Sequence, residues 1–296
     1  MHRFFVAPEL LTNLAPARDA RTMLSLPKPI AHQVRDVLHL AVGEQLLLLD
    51  NTGDEVLAAI ATSSRDTVDV QLLERRAGKS EPTVRIILCQ GLLKSARFEW
   101  ILEKGTELGV TVFAPTLCRR SMSGLEEVGP AKIQRWQRII QEAAEQSGRS
   151  RLPQLLPIRP LMHAFNDIPP DAIAIMPWEQ ENSRSLHEAL ITGLQHDPLP
   201  VGPDLSCPSP QRSEAERVSI LQPLGNPAVA QSKIANSMPN QPITVVLFIG
   251  PEGGLTTDEI TLAQQHGVQP VTLGPRILRA ETAALATIAN VLYELA

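Results

Sequence analysis

The chain has 296 residues and a formal net charge of −5, from 27 Lys and Arg against 32 Asp and Glu. Its apolar runs fall short of the roughly 18 residues of a membrane-spanning helix, so we expect no membrane partner. Three scattered cysteines, Cys89, Cys118 and Cys207, have no histidine cluster nearby, which argues against a metal site and a disulfide framework. Because the N-terminus shows no secretory signal pattern, these features predict a cytoplasmic protein.

The charges are distributed unevenly along the chain. Residues 81–160 contain 12 Lys and Arg against 8 Asp and Glu, whereas residues 161–296 contain 6 against 14. Local basic patches, rather than the net charge, bind the phosphates of nucleic acids. The negative net charge therefore does not exclude a nucleic-acid partner for the middle of the chain.

The N-terminal part of the chain is predicted to form β-structure, because it contains short runs of β-forming residues separated by turns. A small antiparallel sheet avoids open edges by closing on itself, so we expect a short β-barrel over residues 1–77. A linker with Gly and Pro follows at residues 78–82. The predicted strands of this domain are 46–50, 56–61 and 67–73.

A second domain is expected over residues 82–296, where strands and helices alternate as in an α/β domain with a mostly parallel sheet. Helices are predicted at 98–108, before Gly109, and at 130–147, before Gly148. A further helix is expected from a cap at Ser183 to Ile191. The main predicted strands of this domain are 84–90, 110–116, 172–176 and 243–249.

The stretch from about residue 195 to 241 interrupts this alternation. It is rich in Pro and Ser, has no hydrophobic period and contains no aromatic residue. We therefore expect a disordered or loosely packed insertion between two strands, either neutral or used to bind a partner.

Two short motifs in the last fifty residues each lie where a predicted strand is followed by a helix. The first is Phe248 to Leu255, and the second is Leu273 to Ala283. Ligands of open α/β sheets bind at such strand ends, so the motifs predict one small-molecule pocket built largely from backbone. A tight turn without a ligand is the alternative interpretation of the first motif.

The side chains of the two motifs narrow the kind of ligand. A phosphate-binding loop would need a Lys that is absent here, and Glu252 would repel a phosphate. Arg276 and Arg279 suit a polyanionic substrate, unless they are merely solvated and Glu281 only favours the start of its helix. Thr256 and Glu259 have the spacing of a capping box. The helix after residue 282 is apolar on more than one face, which indicates burial, either in the fold or in a subunit interface.

These two motifs resemble the signature loops of the SPOUT class of methyltransferases. More narrowly, they resemble the bacterial 16S rRNA uridine-N3 methyltransferase family, RsmE. The resemblance extends over most of the chain, because further blocks match along it. These blocks are Met1 to Phe5, Gly91 to Val110, Arg119 to Ser121 and Glu145 to Pro153.

The resemblance implies a PUA-like RNA-binding β-barrel followed by a SPOUT α/β methyltransferase domain with a C-terminal trefoil knot. It implies methylation of N3 of a specific uridine in 16S rRNA, in the decoding region of the small ribosomal subunit, with S-adenosylmethionine as cofactor. It also implies a homodimer with the pocket at its interface. The alternatives are a SPOUT enzyme that methylates ribose 2′-oxygens, a non-catalytic RNA-binding protein and a nucleotide-binding protein.

The resemblance also implies roles for individual residues. The implied catalytic residues are Arg279, whose loss we expect to be the most damaging, and Glu281, Arg276 and Glu252. The implied cofactor-binding residues are Pro177, Ile249, Gly250, Pro251, Gly253, Gly254, Leu273, Gly274, Ile277 and Leu278. The implied RNA-binding residues are Arg3, Arg35, His39, Lys94, Arg97, Arg120 and Arg149. Two features depart from the family: His39 stands where an Arg is usual, and the family does not usually carry the 195–241 insertion.

Overall fold

The computed structural model describes residues 1–12, 22–121, 128–195 and 242–295. These residues form two β-sheets with helices packed against them. Apart from Gln195, the insertion predicted at 195–241 lies outside the described residues.

The N-terminal sheet has five strands in the order β1-β3-β4-β5-β2. β1 pairs with β3 in parallel, and the other pairs are antiparallel. The three strands predicted here are confirmed as β3, β4 and β5, whereas the short outer strands β1 and β2 were not predicted. The strands are β1 His2–Phe5, β2 Met23–Ser25, β3 Gln45–Leu49, β4 Asp54–Ser63 and β5 Val68–Ala77.

A short helical segment covers one face of this sheet. Helix α1 is Glu9–Thr12, and α2 is Lys28–His32, continued by a π-helical turn at Gln33–Val37. Val34 of that turn is fully buried with apolar residues of the strands, such as Leu46 and Leu48. The segment therefore closes the apolar core of the N-terminal sheet.

The second sheet has seven strands, six of them in the order β12-β10-β11-β6-β7-β8, with β9 pairing with β7. Every pairing in this sheet is parallel, which confirms the predicted parallel α/β architecture. Its strands are β6 Arg85–Gly91, β7 Val110–Leu117, β8 Gln154–Leu155, β9 Arg159–Pro160, β10 Ile173–Pro177, β11 Thr244–Ile249 and β12 Gln269–Val271. Its helices are α3 Ser95–Leu108, α4 Pro130–Ser147, α5 Leu161–Phe165, α6 Leu186–Gln195, α7 Thr257–Gln265 and α8 Ala280–Leu295.

Apolar clusters cover both faces of the parallel sheet. On one face α3 and α4 pack together, with the ring centroids of Phe98 and Trp136 4.5 Å apart. On the other face Phe165 of α5 contacts Phe248 of β11 at 5.0 Å between centroids. Because strands buried on both faces read as continuous apolar runs, the central strands were predictable from the sequence.

The two long helices end where the sequence predicted. Gly109 after α3 and Gly148 after α4 have φ values of 102° and 81°, the left-handed conformation that ends helices. The expected cap of the next long helix was wrong. The backbone N–H and hydroxyl of Ser185 both donate to Glu188, and α6 begins at Leu186, whereas the hydroxyl of Ser183 donates to Glu181.

The two sheets are joined by a polar junction at the end of α4. The guanidinium of Arg149 donates to the carbonyls of Thr106 and Val110 and to Glu81, at 3.2, 2.6 and 2.8 Å. Glu81 also accepts the backbone N–H of Ser150 at 2.9 Å. These bonds tie the segment between the sheets to α4 and β7.

Arg149 therefore has a structural role, and the RNA-binding role that we predicted for it is wrong. The residue is only 3% exposed, and its charged group is bonded inside the fold. A guanidinium in this position has no surface to present to a phosphate. Arg3 belongs to the same junction, since it donates to Glu55 at 2.8 Å and to the carbonyl of Gly148 at 3.0 Å.

We expect Arg149→Met to lower the free energy of unfolding by about 3 kcal/mol, because it removes the buried ion pair with Glu81 and the guanidinium hydrogen bonds to two carbonyls. Urea denaturation followed by circular dichroism measures this. The matched change Arg138→Met, on the exposed side of α4, should alter stability by no more than about 0.5 kcal/mol. Equal effects of the two changes would contradict the structural role of Arg149.

Candidate functional site

Three loops meet at the carboxyl ends of the adjacent strands β12, β10 and β11. Together they enclose a cavity of about 620 Å³. The first loop follows Pro177, the second follows Ile249 and the third follows Val271, so all three leave the same edge of the sheet. This is the edge at which open parallel sheets bind ligands.

The loop from Gly250 to Gly254 lies between two backbone segments that approach it closely. A Cβ on Gly91 would come within 2.7 Å of the backbone nitrogen of Pro251. A Cβ on Gly253 would come within 2.8 Å of the carbonyl oxygen of Arg120. Only glycine fits at these two positions, so the loop is fixed by contacts that side chains would prevent.

A capping box anchors the far end of this loop. The hydroxyl of Thr256 accepts the N–H of Glu259, and the carboxylate of Glu259 accepts the N–H of Thr256 at 2.8 Å. The same carboxylate accepts the N–H of Arg119 at 2.8 Å. The predicted capping box is confirmed, and Glu259 also links α7 to the segment after β7.

Two arginines stand in the loop between β12 and α8 without ion-pair partners among the described residues. Arg276 and Arg279 are exposed and line the cavity. Free guanidinium groups at a cavity rim suit an anionic ligand or developing negative charge. This arrangement fits both predictions made from the sequence, a polyanionic substrate and merely solvated side chains, so binding of such a substrate stays a prediction.

Two carboxylates in the cavity share one cation. Nη1 of Arg97 lies 3.0 Å from Oε1 of Glu252, and its Nε lies 3.5 Å from Oε1 of Glu281. The side chain of Glu281 is only 13% exposed. Among the described residues no hydrogen-bond donor reaches its second carboxylate oxygen, Oε2, which is buried.

All fourteen residues expected to bind cofactor or to act in catalysis line this one cavity. Their placement agrees with the prediction of a single pocket, and their individual roles stay predictions. One feature of the cavity wall was not anticipated: Ile277, one of the residues expected to bind the cofactor, is 85% exposed.

The RNA methyltransferase domain family matches residues 79–203 and 210–292, which is more than half of the chain. A ribosomal RNA small subunit methyltransferase E of Synechocystis sp. is 30% identical over 279 residues, covering 94% of this chain and 75% of the relative. The chain belongs to the ribosomal RNA small subunit methyltransferase E family.

Other members of the methyltransferase E family are similar over comparable lengths. The Bacillus subtilis protein is 27% identical over 265 residues, which cover 89% of this chain and 87% of the relative. A crystal structure of the Neisseria gonorrhoeae family member, bound to S-adenosyl methionine, aligns with a TM-score of 0.70 at 24% identity. That alignment covers 99% of this chain and 97% of the other, so the two chains share their fold.

Only one of the basic residues expected to bind RNA lies in the methyltransferase cavity. That residue is Arg97, at the start of α3. Arg120 donates to the carbonyls of Gly253 and Leu255 at 3.3 and 3.5 Å, so it packs on the outside of the glycine loop. Lys94, which precedes α3, is exposed.

The remaining expected RNA contacts lie on the N-terminal sheet and its helical cover. Arg35 donates to Asp36 and to the carbonyls of Ser64 and Arg65. His39 is exposed with a φ of 52°, and Arg3, in the junction between the sheets, keeps a quarter of its side chain exposed. Their side chains are thus partly or fully accessible, and RNA binding by them stays a prediction.

The sequence did not single out several polar residues of the cavity. Glu179 and Asn182 follow β10, and Thr272 follows β12, where it accepts the N–H of Gly274 at 3.2 Å. No motif marks them, because their place depends on β10 lying between β11 and β12. Only knowledge of this strand order would have placed these residues in the cavity.

The two described cysteines are not candidates for covalent chemistry in this family member. Both are buried, and burial raises the pKa of Cys89 and of Cys118 to about 12. Since the thiolate is the nucleophile, such thiols are inert at neutral pH. No group of three or more potential metal ligands occurs within the described part of the chain, and no helix there is long and apolar enough to cross a membrane.

We expect Glu259→Ala to destabilise the protein by about 2 kcal/mol, because it removes the carboxylate that accepts the backbone N–H groups of both Thr256 and Arg119. Thermal unfolding measures the loss. Thr256→Ala removes a single capping partner and should cost about 1 kcal/mol. If the two variants were equally stable, the hydrogen bond from Arg119 to Glu259 would contribute nothing to the stability of the protein.

Proposed function

We propose that this chain methylates N3 of a specific uridine in 16S rRNA, using S-adenosylmethionine. The carrying observation is the cavity in which three strand-end loops gather every residue expected to bind the cofactor. Membership of the methyltransferase E family and the fold shared with a family member bound to S-adenosyl methionine support it.

The cavity fits the cofactor by size and by chemistry. Its volume of about 620 Å³ lies within the range of roughly 300–1,000 Å³ for small-molecule sites. Leu273 and Leu278 are half-buried in its wall, and the Gly250–Gly254 loop supplies backbone polar groups. Bound there, S-adenosylmethionine supplies an electrophilic methyl group on a sulfonium.

The residues of this chain then have to accept the N3 proton of the uracil and stabilise the negative charge on its oxygens. N3 carries a proton that must leave when the N3–CH₃ bond forms and the S–CH₃ bond breaks. Oε2 of Glu281, which is buried and has no donor in the described part of the chain, is the acceptor that we assign to this proton. Arg276 and Arg279, free of ion pairs within the described residues, stabilise negative charge on the uracil oxygens.

The N-terminal domain and two basic residues of the second domain are proposed to bind RNA. The five-stranded sheet, completed to a PUA-like barrel, would present Arg35 and His39 to the RNA backbone, and the second domain would add Lys94 and Arg120. The segments around the cavity would form the trefoil knot of SPOUT enzymes. Recognition of structured RNA rests mostly on shape and phosphate contacts, which this distribution of cations suits. The 16S rRNA, within the small ribosomal subunit in the cytoplasm, is the proposed partner.

A homodimer is the proposed assembly, because large apolar side chains are exposed in the cavity wall and on helices α3 and α8. Ile277 in the cavity wall and Tyr293 on α8 are each 85% exposed, and Trp100 on α3 is 42% exposed. α8 packs on both α3 and α6, which carries the exposed Leu194. A second chain that covers these side chains would also complete the wall at Ile277.

We expect Tyr293→Glu to halve the molecular mass in solution, because it puts a charge into the apolar dimer surface. Size-exclusion chromatography with light scattering measures this. The control is Met162→Glu, an equally drastic change of an apolar residue that is 54% exposed on the opposite face of the sheet, and it should leave the mass unchanged. A wild-type monomer would contradict the proposed assembly.

We expect purified protein with S-adenosylmethionine to restore 3-methyluridine in 16S rRNA from a strain that lacks this gene. Nucleoside mass spectrometry measures the product. Arg279→Ala should lower turnover by about a hundredfold while changing cofactor affinity, measured by calorimetry, much less. If a different methylated nucleoside appeared, such as a 2′-O-methyl product, the proposed methylation at N3 would be wrong and the new position would be the site of methylation. No product, together with no cofactor binding, would favour a non-catalytic RNA-binding protein.

A further inference from the structure

Helix α3 contributes a charged side chain to a cavity otherwise built from the three loops. Arg97, in the first turn of α3, reaches Glu252 after β11 and Glu281 at the start of α8. The residue follows β6, which is the next strand in the sheet after β11. Four neighbouring strand ends thus contribute to the cavity.

The two carboxylates depend on this one cation. Within the described residues, neither Glu252 nor Glu281 has another ion pair. Two carboxylates that face one cavity repel each other, and burial would penalise their charges. The guanidinium between them offsets both effects, and its planar fork can hold two acceptors in fixed directions.

The contacts leave the two carboxylates in different states. Glu252 accepts a hydrogen bond from Nη1 of Arg97 at 3.0 Å, so its Oε1 is used. Glu281 faces Nε of Arg97 with Oε1 at 3.5 Å, and its buried Oε2 has no donor in the described part of the chain. A buried acceptor without a donor indicates a place where a ligand N–H or O–H belongs.

We propose that Arg97 is a positioning residue for methyl transfer rather than an RNA contact. It holds the carboxylate of Glu281 through Oε1, so that Oε2 is the acceptor for the proton of the target base, and it fixes the glycine loop through Glu252. This inference rests on the proposed function. It changes the role of Arg97, because a guanidinium already shared by two carboxylates is a poor phosphate ligand.

The kinetic test uses four variants: Arg97→Ala, Arg97→Lys, Glu281→Gln and the Arg97→Ala, Glu281→Gln double variant. Single-turnover methylation is measured with saturating RNA and S-adenosylmethionine. We expect Arg97→Ala to slow the reaction by about ten- to a hundredfold, because misplaced catalytic groups have effects of this size. Arg97→Lys keeps the charge and should recover part of the loss.

The double variant shows whether Arg97 acts through Glu281. If it does, Arg97→Ala in the Glu281→Gln background costs less than about threefold, because coupled residues are not additive. Multiplied effects of the two substitutions would overturn the proposal. The RNA dissociation constant should change less than about threefold. A large loss of RNA affinity, with the salt slope reduced by about one and the saturated rate intact, would identify a phosphate contact instead.

A second readout does not need activity. Hydrogen–deuterium exchange of peptides covering 250–256 and 279–284 should become faster in Arg97→Ala than in wild type. Lys104→Ala, which breaks the ion pairs with Glu103 and Glu107 on the same helix, should leave both peptides unchanged. Unchanged exchange in Arg97→Ala would overturn the positioning role. If wild-type protein methylates no uridine, the proposed function fails, and the exchange result still decides whether Arg97 holds the two loops.

Discussion

The strand order β12-β10-β11-β6 is the constraint on which the site depends. Parallel strands end at one edge of a sheet, so four segments far apart in the chain leave from neighbouring points. The loops that carry Glu179, Glu252 and Glu281 meet there, together with Arg97 at the start of α3. Because the strands are buried on both faces, their order and register are held by the core and not by the loops.

The close approach of backbone around Gly91 and Gly253 turns this edge into a defined cavity. At both positions a Cβ would lie under 3 Å from a neighbouring backbone atom, so the glycine loop has little freedom to move. The capping box at Thr256 and Glu259 fixes its far end, and Glu259 joins it to the segment after β7. A site that is rigid before ligand binding loses less conformational freedom when the ligand binds.

Charge is arranged differently on the two sides of the cavity. Arg97 is taken up by carboxylates, whereas Arg276 and Arg279 are left without ion pairs among the described residues. The first arrangement orders two acidic groups in the cavity, and the second leaves cations in its lining that suit an anionic ligand. Burial distinguishes the basic residues elsewhere in the fold: Arg149 is buried in the junction, whereas Arg35, although paired with Asp36, and His39 are partly or fully accessible on the N-terminal sheet.

The sequence by itself determined the local elements and the chemistry of the two glycine-bearing loops. Helices α3 and α4, the capping box and the apolar central strands follow from short-range rules, because caps, glycines and hydrophobic runs act over a few residues. Only the tertiary structure decided which cations are free. Arg149 and Arg97 look like other basic residues in the sequence. In the fold, Arg149 is bonded to the carbonyls of Thr106 and Val110, whereas Arg97 pairs with the carboxylates of Glu252 and Glu281. Arg97 and Glu281 are separated by 184 positions in the chain (281 − 97). No local sequence pattern encodes a contact at that separation.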